Sequence, residues 1–553
     1  MGADYRPERA LLEQISSRRR FARRCGLHGC RGENGLLRLL LGLLIRILLI
    51  TIIIYRGGNH RAPRGTSEAM TESYFVRPCR WMLLAALTAL AACGGGSNDA
   101  ATQALSPAAT AGKQFFADKS LSASGKQSCI TCHVPSRAYT ADPATDNGLP
   151  VPLGGANMNL TGFRNAPSLM YASFTPPFDG DNLIGGYFRD GRASSLAVQA
   201  EQPFVTAFEM ANADAAEVVT RLQNSPASLA AFQSVYGTAP LSDPQTALQD
   251  IGLAIAAFET EDPVFHPFSS KYDYWLQGQA QLTAQEQQGL ALFNNPVKGN
   301  CTACHPSQRQ GYSDHALFTD FSYDNIGIPR NWNIPTNSPN PVSPVDGTPL
   351  NYVPAQTNVP ADAEYAFYDM GLCGPFAPPA DDPNPRVSLT TTTTICGQFK
   401  VPTLRNIAIT APYFHSGEFG SLQQVLEWYV TRDINNNTGG NNPNPVAAGS
   451  ASGNPYLAVG TFYTAADGTP DAFEYNDLPV DYDANVNIGE IPYTPPTFGG
   501  GQAPTLDAGE IQDIIAFLCT LTDGYDPSNP SAYNVPAQCT APVTVLTPTA
   551  SSQ

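Results

Sequence analysis

The chain has 553 residues, room for two or three domains, and a formal net charge of −17. The charge is unevenly divided: residues 1–92 hold 15 Lys/Arg against 6 Asp/Glu, which leaves 16 against 42 for residues 93–553. So acidic a body has the character of a soluble protein; it repels nucleic acid and favours basic partners.

The first 93 residues read as targeting matter. Residues 36–55, LLRLLLGLLIRILLITIIIY, are long enough to cross a bilayer, but Arg38 and Arg46 lie inside the run, where a guanidinium is costly. Residues 1–69 are therefore either a membrane anchor or an extension upstream of the true start, for which Met70 is well placed. Residues 70–93 form a secretory signal: Arg77 and Arg80 precede an apolar run, and Leu90-Ala91-Ala92-Cys93 has the form of a bacterial lipoprotein cleavage box. Cleavage before Cys93 leaves a cysteine for lipid attachment on a flexible tether, residues 94–107. An ordinary cleaved signal is the alternative. Each reading puts the body outside the cytoplasm, in the periplasm, with or without a lipid anchor.

The cysteines carry the chemistry. Cys25, Cys30 and Cys79 precede the cleavage point. Cys129/Cys132 and Cys301/Cys304 belong to CITCH and CTACH, two CxxCH motifs in one exported chain. Paired thioethers fix a haem to a short helical turn and hold the next histidine beneath the iron. Two covalent haem c groups are expected, with His133 and His305 as proximal ligands; a zinc site would need further Cys/His pairs at metal spacing. Cys373, Cys396, Cys519 and Cys539 remain, and in an oxidising compartment sequence neighbours pair as Cys373–Cys396 and Cys519–Cys539.

The predicted elements are mostly helix and loop. A helix is expected over 244–261. Thr283-Ala284-Gln285-Glu286 is a capping box opening another, ahead of the second CxxCH. Asp507 starts one with apolar Ile511, Ile514, Ile515, Leu518 and Leu521, stopped near Gly524. A helix before each haem motif and one well after it is the plan of a cytochrome c domain. The expected fold is mainly α, with two cytochrome c-like haem domains, 108–262 and 276–525, long irregular loops, and a tail, 526–553. Residues 306–400 and 434–505, rich in Pro, Asn and Thr, are expected to be loops that either shape a partner surface or are inert.

FFADKSLSASGKQSCITCH, RNAPSL (164–169), DGRASSLAVQA (190–200), FTDFSYDNIGIP (318–329), FKVPTLRNIAITAPYFHSG (399–417) and SLQQVLEWY (421–429) follow one another in an order that resembles the bacterial dihaem cytochrome c peroxidases and their MauG-like branch. The resemblance implies peroxide chemistry at the first haem and electron entry at the second. It implies Glu209 as the distal acid, Gln199 as a supporting amide and Pro203 on the pocket wall. In relatives that need reductive activation a distal histidine precedes RNAPS; here the loop has none and Asn157 stands about where it would be, with Met158 beside it. The resemblance assigns Tyr429 as the second axial ligand of the second haem, and gives His415 a structural or relay part. It implies calcium held by the Asn165 side chain and the carbonyls of Thr410 and Pro412. Arg189 stands where the family has a tryptophan between the haems, so relay would need another route, such as Tyr187 or Phe188. The implied function is reduction of hydrogen peroxide with electrons from a small cytochrome c or cupredoxin; the alternatives are a MauG-like oxidase of a protein or organic substrate and an electron carrier without turnover. The family also admits a homodimer.

Overall fold

The computed structural model describes residues 104–541 apart from 339, 353–366, 377–378, 381, 383–392, 432–476, 488 and 494–504. The signal, the lipid-attachment cysteine and much of the 434–505 loop lie outside the described residues. Ten α-helices run in chain order: α1 (Pro107–Ala117), α2 (Cys129–Cys132), α3 (Leu196–Val205), α4 (Ala215–Asn224), α5 (Pro226–Tyr236), α6 (Pro244–Glu261), α7 (Lys271–Leu276), α8 (Ala284–Asn294), α9 (Leu422–Thr431) and α10 (Ala508–Cys519). Among the described residues sheet is confined to two antiparallel pairs, β1 (Leu153–Gly154) with β2 (Leu160–Thr161) and β3 (Tyr323–Asp324) with β4 (Phe399–Lys400). The fold is mainly α.

Two apolar cores organise the chain. In the first, α1 lies on α6 and buries Phe115 and Phe116 against Ile251, Ile255 and Phe258. The helices approach closely because Gly112 has no side chain: a Cβ there would sit 1.9 Å from the Ala254 carbonyl oxygen. The second core repeats this device. α8 lies on α10, and a Cβ on Gly289 would sit 1.9 Å from the Asp513 carbonyl oxygen. Start signals are those the residues announce. Ser106 caps α1, with proline in the first turn, and Thr283/Glu286 and Asp507/Glu510 are reciprocal capping boxes on α8 and α10.

Both disulfides form as expected, Cys373–Cys396 and Cys519–Cys539, with Cα separations of 5.0 and 6.0 Å. The first lies in a small third core, with Tyr323, Tyr368 and Met370. The described parts of 306–400 hold only 3-10 turns and β3 and β4.

One buried ion pair ties α7 to the FKVPTLRN segment. The Arg405 guanidinium donates to both Asp273 carboxylate oxygens at 2.8 and 2.9 Å, with both side chains fully buried. Phe268 and Tyr171 cover the cation at 4.6 and 4.9 Å.

Candidate dihaem site

The first CxxCH forms α2, a single turn at whose start the Ser128 amide donates to the Thr131 hydroxyl at 3.0 Å, with His133 as its C-cap. His133 Nδ1 lies 3.0 Å from the Tyr139 carbonyl oxygen. Nδ1 must donate there, so Nε2 carries the lone pair, the form in which histidine binds a metal. Burial lowers the proton affinity of the ring and keeps it neutral. The second CxxCH is a 3-10 turn, Cys301–Ala303, entered through Asn300 at φ 49°. His305 repeats the arrangement, its Nδ1 donating to the Phe318 carbonyl at 2.8 Å, and burial again keeps the ring neutral. None of the four motif cysteines is in a disulfide. Burial pushes Cys129, Cys301 and Cys304 up to about 12 and Cys132 higher still.

One cavity of about 650 Å³ is lined by Cys132, His133, Cys301, Cys304 and His305. Two motifs of haem-attachment form, each with a free Nε2, open into one mostly apolar void. These residues fit two covalent haems.

Glu209, Gln199 and Pro203 line the same cavity. Gln199 lies on α3, which Ser195 caps. After α3 the chain doubles back, the Met210 amide donating to Pro203 and the Glu209 amide to Thr206, both at 3.0 Å. The Gly155 amide donates to the Glu209 carbonyl at 2.9 Å and holds the β1–β2 hairpin against this turn. Burial raises the Glu209 carboxyl above the usual range, and the Arg192 guanidinium and Thr206 only partly offset it. Asn157, near the hairpin tip, is exposed; neither it nor Met158 lines the cavity.

Tyr429, on α9, lines the cavity with Val425 and Leu426. Its ring is surrounded by Phe414, Trp428 and Tyr493 at centroid distances of 6.0, 5.2 and 6.1 Å. Trp428 is buried at 3% exposure, in the second core.

Part of the cavity wall is ionic. Arg164 donates to both oxygens of Asp369 at 2.6 and 2.7 Å and to Asp190 at 3.0 Å; Arg192 reaches Asp190 at 2.9 Å. The Arg189 Nε donates to the Asn165 carbonyl at 3.1 Å, and the Lys400 ammonium to the Gly186 carbonyl. Burial and the neighbouring Arg164 lower Arg189 to about 10, against the pull of Asp369; burial brings Lys400 to about 7. His415 stacks on Phe399 at 3.8 Å and 8°, held neutral by burial at about 3. Asn165 Nδ2 donates to the Pro412 carbonyl at 2.6 Å, its Oδ1 is buried without a hydrogen-bond partner, and Thr410 and Pro412 line the cavity. Sequence reasoning missed Lys400, Arg164 and Asp369. The first two lie in quoted motifs, and for Lys400 a cation between Phe399 and Val401 was the available signal; Asp369 had none.

The family model for the di-haem cytochrome c peroxidases matches residues 106–281. The methylamine utilization protein MauG of Paracoccus denitrificans is 32% identical over 436 residues, 78% of this chain and 93% of that protein. Cytochrome c551 peroxidase of Nitrosomonas europaea is 30% identical over 318 residues, 57% of this chain and 70% of that protein. The crystal structure of the diheme peroxidase BthA from Burkholderia thailandensis aligns with a TM-score of 0.57 at 31% identity, covering 78% of this chain and 90% of that one. Sequence, fold and the paired CxxCH cavity agree: the chain belongs to the family of di-haem cytochrome c peroxidases that includes MauG.

Proposed function

We propose that this protein is a periplasmic dihaem peroxidase that reduces hydrogen peroxide to two waters, taking two electrons from a small cytochrome c or cupredoxin and two protons from solvent. The observation that carries this reading is Glu209, a cavity-lining carboxyl with raised proton affinity, on the same cavity as His133 and without a histidine in the loop ahead of RNAPS.

Cys129, Cys132 and His133 would hold the first haem, which would supply the redox chemistry for peroxide reduction. Glu209 would take a proton from one peroxide oxygen and return it to the other, which departs as water. Its raised proton affinity brings the acid and base forms closer in population near neutral pH. Gln199 offers an amide that orients the peroxide. Asn157 is exposed at the hairpin, and neither it nor Met158 lines the cavity, which supports a first site open to peroxide. Cys301, Cys304, His305 and Tyr429 would hold the second haem, the entry point for electrons; a hard anionic phenolate would favour its oxidised form.

The surroundings of Tyr429 favour a second reading. Phe414, Trp428 and Tyr493 crowd that ring, and a MauG-like oxidase would spend the same two oxidising equivalents on a protein or organic substrate. Asn165 Oδ1 with the Thr410 and Pro412 carbonyls is the proposed calcium site: an unsatisfied buried amide oxygen suits that ion. No carboxylate joins the set, so dialysis against a chelator should release one calcium per chain; a metal-free protein as isolated would remove this assignment.

The deciding experiment is peroxide consumption by the anaerobic ferric protein with a reduced cytochrome c or cupredoxin, alongside electron paramagnetic resonance. A high-spin signal consumed by peroxide beside a persistent low-spin signal, with catalytic donor oxidation, supports peroxidase. Two low-spin signals without reaction refute it, and a peroxide reaction without donor turnover directs attention to the oxidase reading.

A further inference from the structure

Four cations, Arg164, Arg189, Arg192 and Lys400, line the cavity that both CxxCH motifs enter. They share two carboxylates in ion-pair contact: Asp369 is taken by Arg164, and Asp190 by Arg164 and Arg192. Among the described residues Arg189 and Lys400 have no carboxylate within 4 Å. The two terminal nitrogens of Arg189 make no hydrogen bond there, and the Lys400 ammonium spends one of its three hydrogens on a carbonyl.

Their position is fixed by backbone on both sides. The Arg189 Nε bonds the carbonyl of Asn165, two residues before Pro167, whose carbonyl lies against the His133 ring. The Arg189 carbonyl accepts from the Lys400 amide at 2.8 Å, two residues before Pro402, whose carbonyl lies against the His305 ring. Arg189 is thus bonded to both strands of chain that run to the two axial histidines. Leaving two charges unpaired in such a wall is costly unless an anion joins them.

We propose that Arg189 and Lys400 form an anion cradle between the two haems and bind their propionate carboxylates. The chemistry fits: each haem brings two carboxylates, and a guanidinium with two free terminal nitrogens accepts a carboxylate fork-to-fork. In place of an oxidisable ring between the irons, this chain carries fixed positive charge. That charge opposes loss of an electron from either iron and couples the two electrostatically. The cradle depends on the dihaem assignment alone and is independent of whether peroxide or an organic substrate is turned over.

The test reads the haems, not turnover. Arg189→Met, Lys400→Met and Arg189→Lys would be prepared as holoprotein, with haem content checked, and studied by resonance Raman spectroscopy and anaerobic spectroelectrochemistry. The methionine variants should shift the propionate bending modes and lower at least one haem midpoint potential. Arg189→Lys should keep the potential close to that of the parent. Arg189→Met and Lys400→Met proteins with both haems, unchanged propionate modes and unchanged potentials would overturn the cradle. Where one methionine variant does not accumulate, the other is read by the same criteria.

Discussion

The two halves of this protein are built alike and finished differently. Each crosses a helix ahead of its CxxCH motif over a later helix at a glycine, Gly112 on Ala254 and Gly289 on Asp513. Each fixes its axial histidine by an Nδ1 bond to a later carbonyl, Tyr139 six residues on or Phe318 thirteen residues on. The halves diverge in what else they present to the cavity. The first offers Glu209 and Gln199, groups that move or orient protons; the second offers Tyr429 among aromatic rings. A shared scaffold that holds a haem says little about chemistry, and under the proposed function the other side chains lining the cavity divide the labour.

The largest expected effect breaks that division at the polar side. Glu209→Gln keeps the shape and removes the base, so kcat/KM for peroxide should fall by about 10²–10⁴. Tyr429→Phe should leave peroxide binding at the first haem intact and alter only the low-spin signal of the second. If Glu209→Gln retains parental rates while Tyr429→Phe abolishes them, the assignment of roles is reversed.

The glycine crossings test whether the halves are equivalent in stability. Gly112→Ala and Gly289→Ala each place a methyl within 2 Å of a backbone carbonyl, by the 1.9 Å approach at both sites. Overpacking of this kind costs about 1–3 kcal/mol, and helix propensity returns no more than about 1 kcal/mol of it. Both variants should lower Tm. Hydrogen exchange should show Gly112→Ala loosening α1 and α6 first, and Gly289→Ala loosening α8 and α10. Equal loosening of both halves by either change would mean that they unfold as one unit.

Local signals announced much of this architecture. α6 spans Pro244–Glu261 as its apolar spacing implies, and Thr283 and Asp507 open their helices with the capping boxes visible in the sequence. The end of α10 was less legible. It stops at Cys519 and not near Gly524, because the backbone beyond it is taken by distant partners: the Tyr272 amide bonds the Thr520 carbonyl and the Asn406 amide the Leu521 carbonyl, each at 3.0 Å. The ionic wall was illegible for the same reason. Arg164 and Asp369 are 205 positions apart, and nothing local to either marks them as partners. Arg189 could be singled out as an unusual residue, but its junction with Lys400 exists only in the folded chain.

A smaller effect separates the halves by pH. In the first, Glu259 on α6 is buried at 3% exposure, one carboxylate oxygen lacks a partner, and burial raises the group to about 8. Its folded pKa exceeds the unfolded value of about 4.3. As pH rises between these values the unfolded chain releases its proton first, so Glu259 erodes stability through that window by up to about 1.4 kcal/mol per pH unit. In the second half Asp273 behaves oppositely. Burial pushes it up, but the hydrogen bonds and charge of Arg405, with Ser270, carry it below the usual carboxylate range. Its contribution is present above about pH 3.9 and is lost as pH falls through the folded value. The first half should therefore loosen toward pH 8 and the second toward acid. Glu259→Gln should flatten the alkaline limb of stability against pH between about 5 and 8, and leave the acid limb, set in part by Asp273, where it was. Denaturant unfolding followed across that range reads both limbs, and an alkaline limb unchanged in Glu259→Gln would show that this carboxyl is not what makes the first half sensitive to base.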